Sequence, residues 1–451
     1  MKGIDLSKLP AFLMNQRWFG GKAWPIKNVE VLEHVDVPRA QDGSETAAEL
    51  AVVEVRYELG TPERYLLAVR PEQDGSLTDI FHEDALARGV LQLIRSGGQV
   101  PSGSGGGFLR GERIPGQDAE LDTLAEAPTV RRVSAEQSNT SMVFDDKVIL
   151  KIIRKVEAGV NPEYEMGRFL STHGYTAAPT MVGALQLEGG QAGTTLAVAH
   201  RFVGNAQDGW AYVRERFREW PNVAESLLRE VRELGLRLGE LHRVLGSDPG
   251  DPAFAPEPVQ LEDLQRWSSS IIGELGVTLN DASKRFPQVF DRRAALVDRM
   301  KLLAHRTPAG KKIRIHGDLH LGQVLRSGDQ WLIFDFEGEP LRRLAQRREK
   351  QSPLKDVAGM LRSFAYADAT VEREGHPATD RVVRIRQAFL AGYTDAVRGT
   401  DLVPATPEDF AGFLDAFEVE KLLYEIRYEL TNRPDWARIP IEALMREEGI
   451  S

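Results

Sequence analysis

The sequence contains no cysteine, so neither a disulfide nor a thiolate metal site is open to it, which fits a reducing compartment. It also has no run approaching the ~20 apolar residues needed to span a bilayer. Its start, Met1-Lys2-Gly3-Ile4-Asp5, leads to Pro10 and polar residues instead of the unbroken apolar core of a secretory signal. A cytoplasmic protein without a membrane partner is expected. Positive charge is in short supply: 57 Lys and Arg face 67 Asp and Glu, giving a net charge of −10. No broad basic stripe is present to displace the counterions of DNA or RNA, so nucleic acid is not an expected partner. What is present is ordinary globular composition, 42% hydrophobic and 27% charged. At 451 residues the chain outgrows a single core, and two or three packed units are expected.

Residues 29–69 alternate apolar and polar in the manner of strands, with Val29, Val31, Val35, Val37, then Val53, Val55, Tyr57, Leu59, then Tyr65, Leu67, Val69. This pattern predicts an antiparallel meander, followed by a helix near Asp84 to Arg95. The Gly- and Ser-rich stretch from Gly97 to Gly107 then breaks the periodicity, and a first β-rich unit is expected to cover 1–106. A second strand-rich unit, 107–203, contains Met142-Val143-Phe144 and Val148-Ile149-Leu150 flanking Asp145-Asp146 as a tight hairpin. A helix should open at Pro162, capped by Asn161, with Glu163 and Glu165 at its positive end.

From 204 to 451 the chain reads as mainly helical. Leu227, Val231, Leu234, Leu238, Leu241 and Leu245 make one apolar stripe, and further helices are predicted around 281–305, 353–372, 379–398 and 409–432. Among them lies a short strand–loop–strand insert, Ile313 to Phe336. No internal repeat or long low-complexity tract is evident.

The insert carries the strongest chemical signal. It reads His316-Gly317-Asp318-Leu319-His320-Leu321-Gly322-Gln323, with Asp335 twelve residues further on inside Trp331-Leu332-Ile333-Phe334-Asp335-Phe336-Glu337. Two apolar strands are thus expected each to deliver an aspartate. Phosphoryl transfer needs one carboxylate to orient or accept the proton of the attacking hydroxyl, and separate oxygen ligands to hold magnesium on a triphosphate. Asp318 suits the first role, Gln323 and Asp335 the second. An ATP-binding lysine belongs on an early strand beside a helical carboxylate. Lys151 fits, among Ile149, Leu150, Ile152 and Ile153, with Glu163 or Glu165 as its partner and Glu165 preferred. Ser134 to Ser141 occupies the place of a phosphate-covering loop without being G-x-G-x-x-G, and its hydroxyls and amides suit a phosphate nest equally with a plain polar turn.

At these residues the chain resembles the maltokinase family, including maltokinase domains fused to trehalose synthase, and the related bacterial glucosamine kinases. The resemblance spans nearly the whole sequence: Gln16-Arg17-Trp18-Phe19-Gly20-Gly21-Lys22, Glu136-Gln137-Ser138-Asn139-Thr140-Ser141, Asn161-Pro162-Glu163, His316-Gly317-Asp318 to Gln323, Asp335 to Pro340, Ser352 to Leu361, and Tyr424 to Glu429 with Asn432-Arg433-Pro434-Asp435-Trp436. It implies an α+β, bilobal protein-kinase-like fold of the aminoglycoside-phosphotransferase type, with an N-terminal β-rich cap. It also implies transfer of the ATP γ-phosphate to the anomeric hydroxyl of maltose, with trehalose synthase as a possible partner.

By the same matching Asp318 is the base, Gln323 and Asp335 hold Mg2+, and Lys151, Glu165, Ser138, Asn139, Thr140, Ser141, His200, Phe202 and Val203 are assigned to the nucleotide. Asp208, His316, His320, Glu337, Tyr428, Asn432, Arg433 and Trp436 are assigned to the acceptor sugar. The donor-rich helix end Arg427 to Trp436 suits clamping a sugar, and equally a simple helix stop before Pro434. Gln16 to Lys22 reads as an aromatic anchor onto a sheet, and the basic run Arg342, Arg343, Arg347, Arg348, Lys350 as a solvated face. A glucosamine or aminoglycoside kinase is the rival enzyme, with Asp208, Glu425 and Glu429 available for an amine. A non-catalytic partner subunit of trehalose synthase is the rival of another class.

Overall fold

The computed structural model of the chain describes residues 4–38, 48–103, 106–133, 138–189, 193–340, 342–377 and 380–446. It divides into two compact units, Met1–Gly204 and Asn205–Ser451.

The first unit opens with helix α1 (Leu9–Asn15), followed by β1 (Ile26–Val37), β2 (Ala48–Tyr57) and β3 (Glu63–Leu67), the meander that the alternation predicts. Because strand side chains alternate, β2 sends Leu50 and Val52 to one core and Ala51, Val53 and Val55 to another. The second core includes Leu9, Phe12, Leu13 and Phe19, so the Trp18-Phe19 pair is the structural anchor that its composition suggested. Helix α2 (Asp84–Ser96) covers the opposite face.

After α2 come β4 (Gln99–Pro101), β5 (Phe108–Arg113), β6 (Val130–Val133), β7 (Thr140–Phe144), β8 (Val148–Ile152), β9 (Lys155–Val156), helix α3 (Pro162–Thr172), β10 (Met181–Glu188) and β11 (Thr194–Arg201). One sheet runs β4-β5-β10-β11-β8-β7-β6, and β9 instead joins β3 in the meander sheet. The break expected at 106/107 therefore falls inside a sheet, between the paired strands β4 and β5. Packing explains why the Gly-rich stretch misleads. Leu86, Val90 and Ile94 of α2 share a single apolar core with Leu50 and Val52 on one side and Leu150 and Leu185 on the other. Gly111 permits this contact, since a Cβ there would meet the Leu93 carbonyl oxygen at 1.9 Å.

The β7–β8 hairpin turns at Asp145 and Asp146, with φ of 49° and 50°, in register from Val148↔Phe144 to Ile152↔Thr140. Helix α3 starts as predicted: the Asn161 side chain accepts from the Tyr164 amide at 3.1 Å, and Pro162 follows.

In the second unit β12 (Gln207–Asp208) leads to helix α4 (Gly209–Arg218) and α5 (Ala224–Leu245), where every member of the predicted leucine and valine stripe is fully buried. Each such side chain stabilises by about 1.5–3 kcal/mol relative to exposure. Helix α6 (Leu261–Ser283) comes next and α7 spans Arg293–Ala304, where one helix over 281–305 was expected. Pro287 cannot continue a helix interior and begins a short 3₁₀ segment instead. β13 (Val324–Ser327) and β14 (Gln330–Ile333) form a hairpin with β12 alongside. Helices α8 (Leu354–Arg373), α9 (Arg381–Val397), α10 (Pro407–Asn432) and α11 (Arg438–Arg446) complete the unit. Among the described residues no helix is long and apolar enough to cross a membrane.

Candidate active site

In the first unit Lys151 sits on β8 opposite Ser141 and Val198, with little exposed surface. Its ammonium lies 2.9 Å from Glu163 Oε2. Lys151 thus has Glu163 as an ion-pair partner; the first turn of α3 buries Glu163, to 5% exposure, and leaves the preferred Glu165 half-buried. Of the expected phosphate loop, residues 134–137 lie outside the described residues. Ser138 is exposed and Asn139 half-buried, but Thr140 and Ser141 are built into β7 and buried. The Thr140 hydroxyl accepts from Arg154 Nε at 2.8 Å, so it props the strand instead of facing a ligand. His200 lies on β11 opposite Ile149, and the Phe202 amide donates to the Lys147 carbonyl at 2.7 Å, placing Phe202 and Val203 just beyond the hairpin turn.

In the second unit Asp318 is delivered by a loop, not by a strand; Ile313 makes only a single bridge to Gln351. The loop is fixed from beneath by Asp356 of α8, whose two oxygens accept the His316 amide at 2.8 Å and the Gly317 amide at 2.9 Å. Burial would raise the Asp356 carboxyl, but the hydrogen bond to His242 and the amides outweigh it and hold it below the ordinary carboxylate range. His242 is in turn 3.0 Å from the Tyr393 hydroxyl. Leu321 is held through its amide by the Ser363 hydroxyl at 3.0 Å, and Gly359 lets the Leu319 carbonyl oxygen come within 2.5 Å of where a Cβ would stand.

His316, assigned to the acceptor, holds the loop through both ring nitrogens. Its Nδ1 accepts the Asp318 amide at 3.3 Å and its Nε2 faces the Phe334 carbonyl at 2.9 Å, which spends both ring nitrogens on loop geometry. His320 uses Nδ1 to cap the next turn at the Gly322 amide, 3.0 Å away. Burial pushes its proton affinity down.

Asp335, two residues beyond β14, has φ of 66°, and its Oδ2 accepts from Gln323 Nε2 at 2.9 Å. The predicted pair is thus in contact. A carboxylate and an amide are the oxygen-bearing groups that a hard divalent cation takes, so the donor chemistry fits magnesium. Asp318 meets a group that the sequence reading did not single out: Lys421 of α10, Nζ 2.9 Å from Oδ1. Burial opposes the ionised form of Asp318, yet Lys421 and the neighbouring histidines outweigh it and keep the carboxyl below its usual range.

The acceptor motif gathers at the end of α10. Trp436 stacks on Tyr366 with centroids 6.5 Å apart and planes 6° apart. Arg433 lies over Tyr428 and Trp436, 5.5 Å from each ring, and reaches Glu429 Oε1 at 2.6 Å. The Tyr366 hydroxyl donates to the same oxygen at 2.9 Å, while Glu429 Oε2 is buried with no hydrogen-bond partner among the described residues. Asn432 turns back to the Tyr428 carbonyl. Asp208 caps α4 through the Ala211 amide at 2.8 Å, a sufficient structural role.

Beside Asp318 opens a cleft of about 780 Å³, mouth included, lined by Gly317, Leu319, Glu339, Arg342, Lys355, Glu420, Lys421, Tyr424 and Arg427 among others. The basic run after Asp335 is a solvated face only at Arg342 and Arg343, which are exposed, while Arg347, Arg348 and Lys350 are half-buried. Arg342 pairs with Glu339, Arg347 donates to the Glu337 carbonyl at 3.1 Å, and Lys350 pairs with Glu257 at 2.9 Å.

Residues 129–339 match the family model described as phosphotransferase enzyme family, and residues 12–81 match the maltokinase N-terminal cap domain. The chain is a sugar phosphotransferase, and the segment that matches the phosphotransferase model is a little under half of it. Curated relatives of this phosphotransferase include the glucosamine kinase of Mycolicibacterium smegmatis, 27% identical over 71% of this chain and 80% of the relative. A second is the glucosamine kinase of Streptacidiphilus jiangxiensis, 24% identical over 81% of this chain and 87% of that one. A solved glucosamine kinase in complex with glucosamine, ADP and inorganic phosphate shares the fold, with a TM-score of 0.72 at 19% identity over 98% of this chain and 97% of that one.

Three residues that shape the site of this phosphotransferase went unpredicted: Lys421, Asp356 and Tyr366. Lys421 stands in charged helical sequence, and Tyr366 is one of the two aromatics of its helix. Only one signal was available, the Asp356 carboxylate two residues into a helix between Leu354 and Val357, an apolar setting that asks for a partner.

Proposed function

We propose that this phosphotransferase is an ATP- and magnesium-dependent sugar kinase that prefers a neutral acceptor, maltose first, and phosphorylates its anomeric hydroxyl. The acceptor oxygen bonds to the γ-phosphorus, the bond from that phosphorus to the ADP oxygen breaks, and the hydroxyl proton passes to the Asp318 carboxylate. Gln323 and Asp335 would hold magnesium, which neutralises charge on the triphosphate when bound. Lys151, fixed by Glu163, serves the phosphates.

The observation that carries the neutral-acceptor reading is the charge pairing in the cleft beside Asp318. Glu274 is held by Arg427 at 2.8 Å, Glu420 by Lys355 at 2.8 Å, and Glu339 by Arg342. Asp318 itself carries Lys421. An ammonium on the acceptor would have to displace one of these cations. The maltokinase-type cap over residues 12–81 supports the same choice.

Glucosamine, giving glucosamine 6-phosphate, is the second reading. It is favoured by the relatives' activity and by Glu429 Oε2 near Trp436, unpartnered among the described residues. ADP release measured in parallel with maltose, glucosamine and an aminoglycoside separates them. Turnover of maltose at the highest kcat/KM is expected, and turnover of amine-bearing acceptors alone sinks the maltose assignment. A cytoplasmic location and a trehalose synthase partner belong to the same proposal and are tested by fractionation and co-purification.

A further inference from the structure

We propose that Lys421 is the positioning residue of the transfer step, fixing the Asp318 carboxylate in orientation and charge beside the acceptor hydroxyl. This rests on the kinase reading of Asp318. Lys421 stands 103 residues away in sequence, and its Nζ lies 2.9 Å from Asp318 Oδ1 and 3.8 Å from Glu339 Oε1. The ammonium also lies 4.5 Å from the Tyr424 ring centroid, so three groups converge on it. Only 15% of the lysine side chain and 14% of the aspartate is exposed, which makes this a desolvated pair and not a surface bridge. Both Lys421 and Tyr424 line the cleft that opens beside the loop.

The chemistry calls for such a cation. Phosphoryl transfer spreads negative charge over the oxygens around the reacting phosphorus, next to a carboxylate that must itself stay ionised to receive the hydroxyl proton. The loop's own His320, two residues past Asp318, is a weaker source of positive charge, because burial depresses its proton affinity. Lys421 supplies it from α10. Burial opposes its charge too, but Asp318 and Glu339 outweigh that and raise its proton affinity, so it remains an ammonium and exchanges no proton during the step. Lys421 keeps the Asp318 carboxylate aimed until it takes the hydroxyl proton and becomes the neutral acid.

Among the described residues, charged and titratable groups facing Asp318 include His316 and His320 from its own loop, Lys421 and Tyr424 from α10, and Glu339 through Lys421. With Lys421 removed, the buried carboxylate loses its largest stabilising charge and takes up a proton at higher pH.

The test compares wild type with Lys421→Met and Lys421→Arg by two readouts. Carboxyl-13C titration of Asp318, assigned with Asp318→Asn, needs no acceptor and so stands apart from the choice of sugar. The acidic limb of kcat against pH is measured with whichever sugar is turned over. In Lys421→Met, a rise of about one to three pH units in both is expected, since an adjacent opposite charge is worth that much. A fall in kcat at pH 7 of tenfold or more and an ADP affinity within twofold of wild type should accompany it. Lys421→Arg should restore the acidic limb. If Lys421→Met does not fold, Lys421→Gln carries the same measurement. An Asp318 titration unmoved in the uncharged variant, or a lost melting temperature with an unshifted acidic limb, overturns the proposal.

Discussion

Asp318 owes its usefulness to neighbours that leave it charged, held and reachable at once. Replacing it by asparagine keeps the shape and removes the proton acceptor. Asp318→Asn should lower turnover by roughly 10²–10⁴-fold while nucleotide affinity and melting temperature stay near wild type. Steady-state kinetics beside a thermal melt checks this. Asp318, Gln323, Asp335 and Lys151 were legible in the sequence because each is a polar residue set in or just after an apolar segment, where burying it needs a reason. Lys421 was not legible. It lies on a helix bearing Glu418, Glu420 and Glu425, where local spacing offers several nearer partners than a residue 103 positions away. The fuller burial of Glu163 than of Glu165 was not legible for a related cause: which of two carboxylates in a first helical turn faces inward depends on the rotation of that turn about its axis, and Asn161 capping fixes this only in three dimensions.

At the scale of elements, strand alternation and the Asp145-Asp146 turn carried the meander and hairpin, because both follow from local backbone preference. The start of α6 escaped notice because its cap is Gln260 with Asp263, a weak signal beside the usual Ser, Thr, Asp or Asn. Between β8 and β9 lies Arg154, fully buried, paired with Asp79 and placed 4.8 Å from the Trp18 ring and 4.3 Å from the Phe81 ring. Its backbone carbonyl accepts from the Leu66 amide at 2.8 Å, so one residue ties the meander sheet to the hairpin. Arg154→Met leaves Asp79 charged in an apolar site and should cost about 3–5 kcal/mol of stability, read by urea unfolding. Adding Asp79→Leu should recover part of that loss. A cost below about 1 kcal/mol for the single variant would show that Asp79 finds other solvation.

For the whole molecule, the protonation of buried groups sets the pH range of stability. His320 has a proton affinity lowered first of all by burial, so the unfolded chain takes up a proton that the folded one refuses. Stability should therefore decline as pH falls below ~6.5, the value of a free imidazole. Asp356, Asp318 and Asp263 are held below the ordinary range although burial alone would raise them. Their contribution is complete above ~4 and is lost as pH falls below it through their depressed values. Melting temperatures taken from pH 8 to pH 3 should show both phases, and His320→Gln should flatten the first. One contact governs how faithfully such changes reach the chemistry. At Gly359 the loop carrying Asp318 rests on bare helical backbone, with no side chain between the Leu319 carbonyl and α8. Nothing at that seat can rearrange to absorb an error, so even an alanine there pushes the base out of line, and a tilt of α8 that leaves its apolar packing intact is transmitted to Asp318 undamped.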